Sequence, residues 1–254
     1  MRTWAIANQK GGVGKTTSSL CLARCLADQG RRVLLVDLDP HGSITRAFGV
    51  PVEPPPQGTH ELFNGEPIDK LAHHSGYPHI DLIAAQPAMA TLERRSATQP
   101  GLGLALRRAL LDADDQYDYA LLDCPPTLSL LLVNALAACD RLIVPTQADP
   151  LALHGLEGML RTAAMVERSR SRPLARQILP TLFDRRTRTG QQTLEHMHTY
   201  PGVGVCPFPI PVDTRLRDAM SLASREHLYG RGMIAYEHAL QWLLDTAPSE
   251  EEAA

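Results

Sequence analysis

Gln9-Lys10-Gly11-Gly12-Val13-Gly14-Lys15-Thr16-Thr17 is the stretch of this chain best suited to chemistry. It ends in Gly14-Lys15-Thr16, as a phosphate-binding loop does. Small residues let backbone N–H groups curl round a phosphate, a lysine at position 15 reaches the β/γ oxygens, and the Thr16 hydroxyl suits Mg²⁺. The usual pattern has a glycine at position 9; here that residue is Gln9, followed by a second lysine, Lys10. Two lysines so close repel each other unless an anion lies between them or one reaches elsewhere.

The surrounding elements suit such a loop. Thr3-Trp4-Ala5-Ile6-Ala7 reads as a short buried strand. From Thr17 to Gln29 apolar residues recur at Leu20, Leu22, Ala23, Leu26 and Ala27, and Gly30 is a natural helix stop. A helix entered this way points free N–H groups and its positive dipole end at the phosphates.

Three further segments extend the pattern. Val36-Asp37-Leu38-Asp39-Pro40, Tyr119-Ala120-Leu121-Leu122-Asp123-Cys124-Pro125-Pro126 and Leu142-Ile143-Val144-Pro145-Thr146-Gln147 each carry an apolar strand into polar residues. With Lys10-to-Thr17 they resemble, in order and spacing from residue 4 to about residue 240, the deviant Walker A, second acidic and Walker B motifs of the ParA/MinD family of P-loop ATPases.

Strands are predicted near residues 3–8, 32–37, 80–85, 118–123, 141–145, 176–182 and 203–207. Helices are predicted over 15–29, 101–114, 127–138, 153–170, 189–198, 214–224 and 232–245. Continuous apolar runs such as Val33-Leu34-Leu35-Val36 point to strands buried on both faces. The expected fold is α/β: a mainly parallel twisted sheet with helices on both faces, the three-layer P-loop NTPase arrangement. In such a sheet ligands sit at the strands' carboxyl ends, where Gln9-to-Thr17, Asp37-to-Pro40, Asp123 and Gln147 all fall.

Residues 1–247 are expected to form one ATPase domain and 248–254 an acidic, disordered tail; Pro51 to Pro56 reads as a loop. With 254 residues, 44% of them apolar, the chain can bury a substantial core. No apolar run approaches the ~20 residues of a membrane span. The chain goes straight into a strand, so no signal peptide is expected. The five cysteines form no CxxC and read as core thiols in a reducing cytosol. His73-His74 and His196/His198 read as surface loop and helix face.

The resemblance implies ATP and Mg²⁺ as cofactors and slow, partner-stimulated hydrolysis of ATP to ADP and phosphate. It places the nucleotide on Gly11, Gly12, Val13, Gly14, Lys15, Thr16 and Thr17. Thr16 and Asp123 would hold Mg²⁺, Asp123 through water, with Asp37 near the metal shell. A strand-end cap is the structural alternative for Asp37. Asp39 matches the carboxylate that positions or activates the attacking water. Lys10 matches the lysine that crosses to the ATP of a second subunit, neutralising charge as an arginine finger does. Gly11 then lies where the partner approaches closely.

Pro180-Thr181-Leu182-Phe183-Asp184-Arg185-Arg186-Thr187 and Pro211-Val212-Asp213-Thr214-Arg215-Leu216-Arg217-Asp218-Ala219 resemble two more family segments. They imply Pro211 and Asp213 at the adenine site. They also imply DNA binding without sequence preference through Arg186 and Arg215, with Arg188 and Arg217 nearby. The net charge is −3, so DNA attraction needs a local patch, and a solvated basic face is the rival reading.

The chain departs from common family patterns. Pro40-His41-Gly42-Ser43 stands where Pro-Gln-Gly-Asn is frequent, and Pro211-Val212-Asp213 where Pro-Arg-Asn is frequent. With Thr91-Leu92-Glu93-Arg94 and Gly101-Leu102-Gly103-Leu104, these segments look most like the subgroup encoded beside flagellar and chemotaxis proteins. No N-terminal helix-turn-helix arm is present in the sequence. The function implied is an ATP-dependent dimerisation switch for chromosome or plasmid partition, or for polar placement of chemotaxis arrays. A homodimer with ATP, a ParB-like or polar-scaffold activator and a cytoplasmic, nucleoid-associated or polar location go with it. The alternatives are an ATP-dependent metabolic enzyme of the same clan and a MinD-like membrane switch. The acidic, proline-broken end Asp245-Thr246-Ala247-Pro248-Ser249-Glu250-Glu251-Glu252 weighs against membrane association.

Overall fold

The computed structural model describes residues 1–51, 54–92, 101–218, 222–224 and 230–246. Parts of the expected proline loop and of the helix at 214–224, residues Glu93-Arg94, and the acidic tail lie outside them.

The strands are β1 (Arg2–Ile6), β2 (Val33–Asp37), β3 (His73–His74), β4 (Ile80–Ile83), β5 (Tyr119–Asp123), β6 (Arg141–Gln147), β7 (Ala175–Thr181) and β8 (Gly204–Val205). They form one sheet in the order β3-β4-β2-β5-β1-β6-β7-β8. Every pairing is parallel except β3 with β4. This is the expected three-layer α/β architecture.

Alternation along the strands builds two cores. Ala5, Leu34, Val36, Ala120, Leu122, Leu142 and Val144 face one layer of helices. That layer comprises α5 (Ala105–Asp112), α6 (Leu130–Ala138) and α7 (Pro150–Glu167). Trp4, Ile6, Val33, Leu35, Leu121 and Ile143 face the other, which holds α1 (Lys15–Asp28) and α9 (Arg231–Asp245). The side-chain period of two along a strand makes this possible only when both sets are apolar, hence the unbroken apolar runs.

Several boundaries differ from expectation for local reasons. Helix α6 begins at Leu130 rather than 127, because Pro125 and Pro126 hold the chain extended and the Ser129 hydroxyl caps the Leu132 N–H at 3.2 Å. Helix α7 begins at Pro150 rather than 153: Asp149 accepts the Leu151 N–H at 2.9 Å and proline suits the first turn. Over 101–114 a 3₁₀ turn at Leu102–Leu104 precedes α5, and the described part of 214–224 opens with a 3₁₀ turn, Thr214–Arg217, with Leu222 and Ala223 helical.

His73-His74 is not a loop. It pairs antiparallel with β4 at the sheet edge, where His74 Nδ1 lies 3.1 Å from Asp81 Oδ1. Short helices α2 (Ser43–Ala47), α3 (Thr59–Leu62) and α4 (Ile68–Leu71) follow β2, and α8 (Arg188–Met197) follows β7. Helix α8 is the one expected at 189–198, whereas α2, α3 and α4 match no expected helix, since one or two apolar residues apiece are too few for helical periodicity to register. All five cysteines are buried and unpaired, as expected of core thiols.

Candidate nucleotide site

The loop between β1 and α1 turns through Gly12 and Gly14, both at positive φ (74° and 88°). Only glycine adopts that conformation without strain. Gly14 caps α1, so Lys15, Thr16 and Thr17 form the helix's first turn, with their N–H groups at the cleft.

Side chains from other strands close on this turn. Thr16 Oγ1 donates to Asp123 Oδ2 at 3.0 Å, and Ser19 donates to Asp123 Oδ1 at 2.8 Å. Asp123 is fully buried at the end of β5, directly opposite Asp37 at the end of β2. Burial first, and the neighbouring Asp37 charge second, push the Asp123 carboxyl up to about 7. Asp37 is raised by burial to about 6 although Thr45 stabilises its charged form. Its Oδ2 accepts the Thr45 backbone N–H at 2.9 Å and the Thr45 hydroxyl at 2.7 Å; its Oδ1 accepts the Asp39 N–H at 3.2 Å. Asp37 therefore occupies the strand-end position that ties β2 to α2, and Asp123 is the carboxylate bonded to the loop.

Lys15 is held down by burial, against the opposing pull of Asp123 and Asp39. Its ammonium donates to the Lys10 carbonyl oxygen at 3.1 Å. Asp39, half-buried, accepts from the His41 N–H at 3.0 Å and lies 2.8 Å from His41 Nδ1.

Together these groups line a cleft of about 560 Å³. Gly11, Gly12, Gly14, Lys15, Thr16, Thr17 and Asp39 form one side; Pro126, Pro211, Asp213 and Arg217 are on its walls. Pro211, expected at the adenine site, lines this cleft. Asp213 also lines the cleft, but its carboxylate is bonded to the Arg215 and Gly232 N–H groups at 3.1 Å each. Val13 is buried beneath the loop, and Gln147 ends β6 outside the cleft lining. Arg186 lies in a neighbouring depression that shares Pro211, and it is clasped by Asp184 at 2.7 and 2.9 Å. This contact holds the Asp184 carboxyl at about 2. Arg215 is exposed on the 3₁₀ turn after Asp213.

Sequence reasoning missed Thr181, Leu182, Ile210 and Tyr236, which complete the cleft. Thr181 bonds the Val13 carbonyl at 2.8 Å, and the Tyr236 hydroxyl lies 2.9 Å from Ser18 Oγ, joining α9 to α1. Leu182 takes a left-handed conformation (φ 50°) that bulky residues rarely adopt. Thr181 and Leu182 fall in the segment Pro180 to Thr187 that resembles the family, without having been assigned to the cleft; no motif marks Ile210 or Tyr236.

The donor set fits a nucleotide with a divalent ion. A helix N-terminus and a desolvated lysine suit phosphate oxygens. Two buried, mutually repelling carboxylates beside a threonine hydroxyl suit Mg²⁺, which keeps several waters and takes few protein ligands. Among the described residues no cluster of three or more His, Cys, Asp or Glu could hold a metal by itself.

Fold and loop define a P-loop nucleotide hydrolase. An AAA domain family model matches residues 1–175. The chromosome-partitioning ATPase Soj of Thermus thermophilus is 43% identical over 223 residues, covering 87% of this chain and 85% of that protein. A solved structure of a cobyrinic acid a,c-diamide synthase from Mycobacterium smegmatis, with bound ATP analogue and magnesium, is 34% identical. It superposes with a TM-score of 0.84, covering 96% and 94% of the two chains. A putative plasmid partition protein of Borrelia burgdorferi bound to AMPPNP is 25% identical, with a TM-score of 0.78 over 96% and 98%. The chain belongs to the ParA/Soj family of P-loop ATPases: it hydrolyses ATP and uses Mg²⁺.

Proposed function

We propose that this ATPase is an ATP-dependent dimerisation switch for positioning cargo inside a bacterial cell. The observation that carries this reading is the state of Lys10. Its backbone is fixed on both sides, yet its ammonium has no ion-pair partner among the described residues. Next to it Gly11 is exposed, and among the described residues nothing beyond its two chain neighbours comes within 4 Å of where its Cβ would be. A cation held ready at an open rim, with a glycine the chain itself does not require, suits close approach by a second subunit.

Within one site, Gly11 to Thr17 cradle the phosphates and Lys15 compensates their charge. Thr16 and Asp123 hold Mg²⁺, Asp123 through water, while Asp37 adds charge behind it. Bound Mg²⁺ supplies charge neutralisation at the phosphates. Asp39 orients the attacking water, and Lys10 reaches the partner's nucleotide. Pro211 and Asp213 border the base. One sheet with its two helical layers supports reading residues 1–247 as a single ATPase domain.

The names of two relatives, a chromosome-partitioning ATPase and a chromosome partitioning protein, support chromosome partition, and the plasmid partition protein among the similar structures supports plasmid partition; a cytoplasmic, nucleoid-associated location and a ParB-like activator go with that reading. Non-specific DNA binding through Arg186 and Arg215 goes with this reading. The segments from Pro40 to Ser43 and from Pro211 to Asp218 favour a second cargo, chemotaxis arrays at a cell pole. Likeness to the diamide synthase favours amide-forming chemistry instead. A MinD-like membrane switch calls for a basic amphipathic helix near the C-terminus, which the acidic, proline-broken end from Asp245 to Glu252 disfavours; no described helix is long and apolar enough to cross a membrane.

Light scattering of the full chain with Mg²⁺ and either ATP or ADP tests the switch. A doubling of mass with ATP alone is expected. A monomer with both nucleotides, together with ATP turnover independent of protein concentration, would favour the metabolic enzyme.

A further inference from the structure

Helix α7 presents Gly155, Gly158 and Thr162 at a three- and four-residue spacing, so all three lie on one face. That face packs against Gln9 and Lys10. A Cβ at Gly155 would stand 2.8 Å from Lys10 Cβ and 2.9 Å from Asn8 Oδ1. A Cβ at Gly158 would stand 2.4 Å from Gln9 Oε1. Real Cβ atoms do not approach so closely: at Gly155 the neighbours include the Lys10 Cβ and, at 3.2 Å, its backbone N, so the loop itself would have to move, whereas at Gly158 the neighbour is the far end of the Gln9 side chain, which would have to leave its seat.

Polar contacts fix the loop in this seat. Gln9 Nε2 donates to Thr162 Oγ1 at 2.8 Å, and that hydroxyl donates to the Gly158 carbonyl oxygen at 3.0 Å. On the other side Asn8 Oδ1 accepts the Lys10 N–H at 2.9 Å. Asn8 Nδ2 in turn donates to the Pro145 carbonyl oxygen at 2.9 Å, anchoring the segment to β6. The sheet holds Lys10 from below and α7 holds it from the side.

We propose that Gly155, Gly158 and Thr162 are positioning residues for Lys10, setting the line along which its ammonium leaves the subunit toward a partner's nucleotide. Gln9 is the link: where a glycine would leave the loop free of α7, its amide is seated on Gly158. None of the three lines the cleft, and because the Lys10 carbonyl oxygen is bonded to Lys15, the variant that leaves the loop backbone seated, Thr162→Val, is the one that separates positioning of Lys10 from nucleotide binding. This rests on Lys10 acting in trans, as proposed above. A displacement of 1 Å in a positioned group costs on the order of a hundredfold in rate, and an added methyl displaces Lys10 by at least several tenths of an ångström.

The test measures ATP affinity, ATP turnover and pairwise mixing for Gly155→Ala, Gly158→Ala and Thr162→Val. Thr162→Val keeps the shape and removes only the Gln9 bond, so it reports even if an alanine variant fails to fold. Gly155→Ala should lose about tenfold or more in turnover, and Gly158→Ala and Thr162→Val several-fold, with ATP affinity unchanged in Thr162→Val. Gly155→Ala in a Lys10→Ala background should cause no further loss. Mixed with Asp39→Ala subunits, which supply an intact Lys10, Gly155→Ala should recover turnover. Wild-type turnover in all three variants, or a loss that adds to that of Lys10→Ala and resists mixing, overturns the proposal. If Lys10→Ala itself keeps wild-type turnover, it is the role of Lys10 in trans that fails.

Discussion

The Lys15 ammonium donates a 3.1 Å hydrogen bond to the carbonyl oxygen of Lys10. The loop's two lysines are thus linked through the side chain of one and the backbone of the other. Their charges are kept apart: Lys15 is turned inward toward Asp123 and Asp39, and the Lys10 ammonium has no ion pair among the described residues. The two lysines can therefore serve different phosphates.

Removing the inward lysine should weaken nucleotide binding. Lys15→Ala deletes a charge-assisted contact worth roughly 1.5–3 kcal/mol, or about 10- to 100-fold in ATP affinity. Calorimetric titration with ATP checks this, and near-native affinity would remove Lys15 from the phosphate site.

Hydrolysis should require the metal and the hydroxyl that faces Asp123. Chelation by EDTA should abolish turnover, and Thr16→Val should raise the Mg²⁺ concentration needed for half-maximal turnover by about tenfold or more. An unchanged Mg²⁺ dependence in Thr16→Val would place the ion elsewhere.

The cleft's back wall should contribute to stability. Tyr236→Phe leaves the buried Ser18 hydroxyl without its 2.9 Å partner. The expected loss is about 1–3 kcal/mol, read by urea denaturation. A change under about 0.5 kcal/mol would mean that this bond does not hold α9 to α1.

DNA binding, if it follows the family pattern, should be electrostatic. Four phosphate contacts per dimer give roughly a hundredfold loss of affinity between about 50 and 200 mM salt. Arg186→Glu or Arg215→Glu should abolish binding to any duplex while dimerisation survives. Asp184 now clasps Arg186, so Asp184→Ala should strengthen binding several-fold. Mobility shifts on unrelated duplexes across a salt series decide; no ATP-dependent binding at low salt would leave these arginines as a solvated face.

The loop, Asp123 and the parallel core were legible because each has a local signal: glycine spacing, a polar residue ending an apolar run, and uninterrupted β-branched and leucine segments. Asp39 and Pro211 were legible only through resemblance. Tyr236 was not, since it reaches the cleft through the packing of α9 and no neighbouring residue announces that; Thr181 and Leu182 lie in a segment that resembles the family, but only the end of β7 brings them to the cleft. Gly155 and Gly158 carry no signal of their own within the helix expected over 153–170. Their reason is a contact with residues almost 150 positions earlier, which only the fold brings together. His73-His74 was misread because a two-residue edge strand has no periodicity to detect.

The central claim is that Lys10 acts on the nucleotide of a second subunit. Mixing Lys10→Ala with Asp39→Ala before ATP is added tests it most directly. Each variant alone should hydrolyse ATP poorly while binding it. In equal mixture about half the dimers are mixed, and each mixed dimer has one site with an intact Asp39 and a partner's intact Lys10. The mixture should therefore recover roughly a quarter of wild-type turnover. Turnover no greater than the average of the two separate variants would contradict the account and assign Lys10 to the ATP of its own subunit.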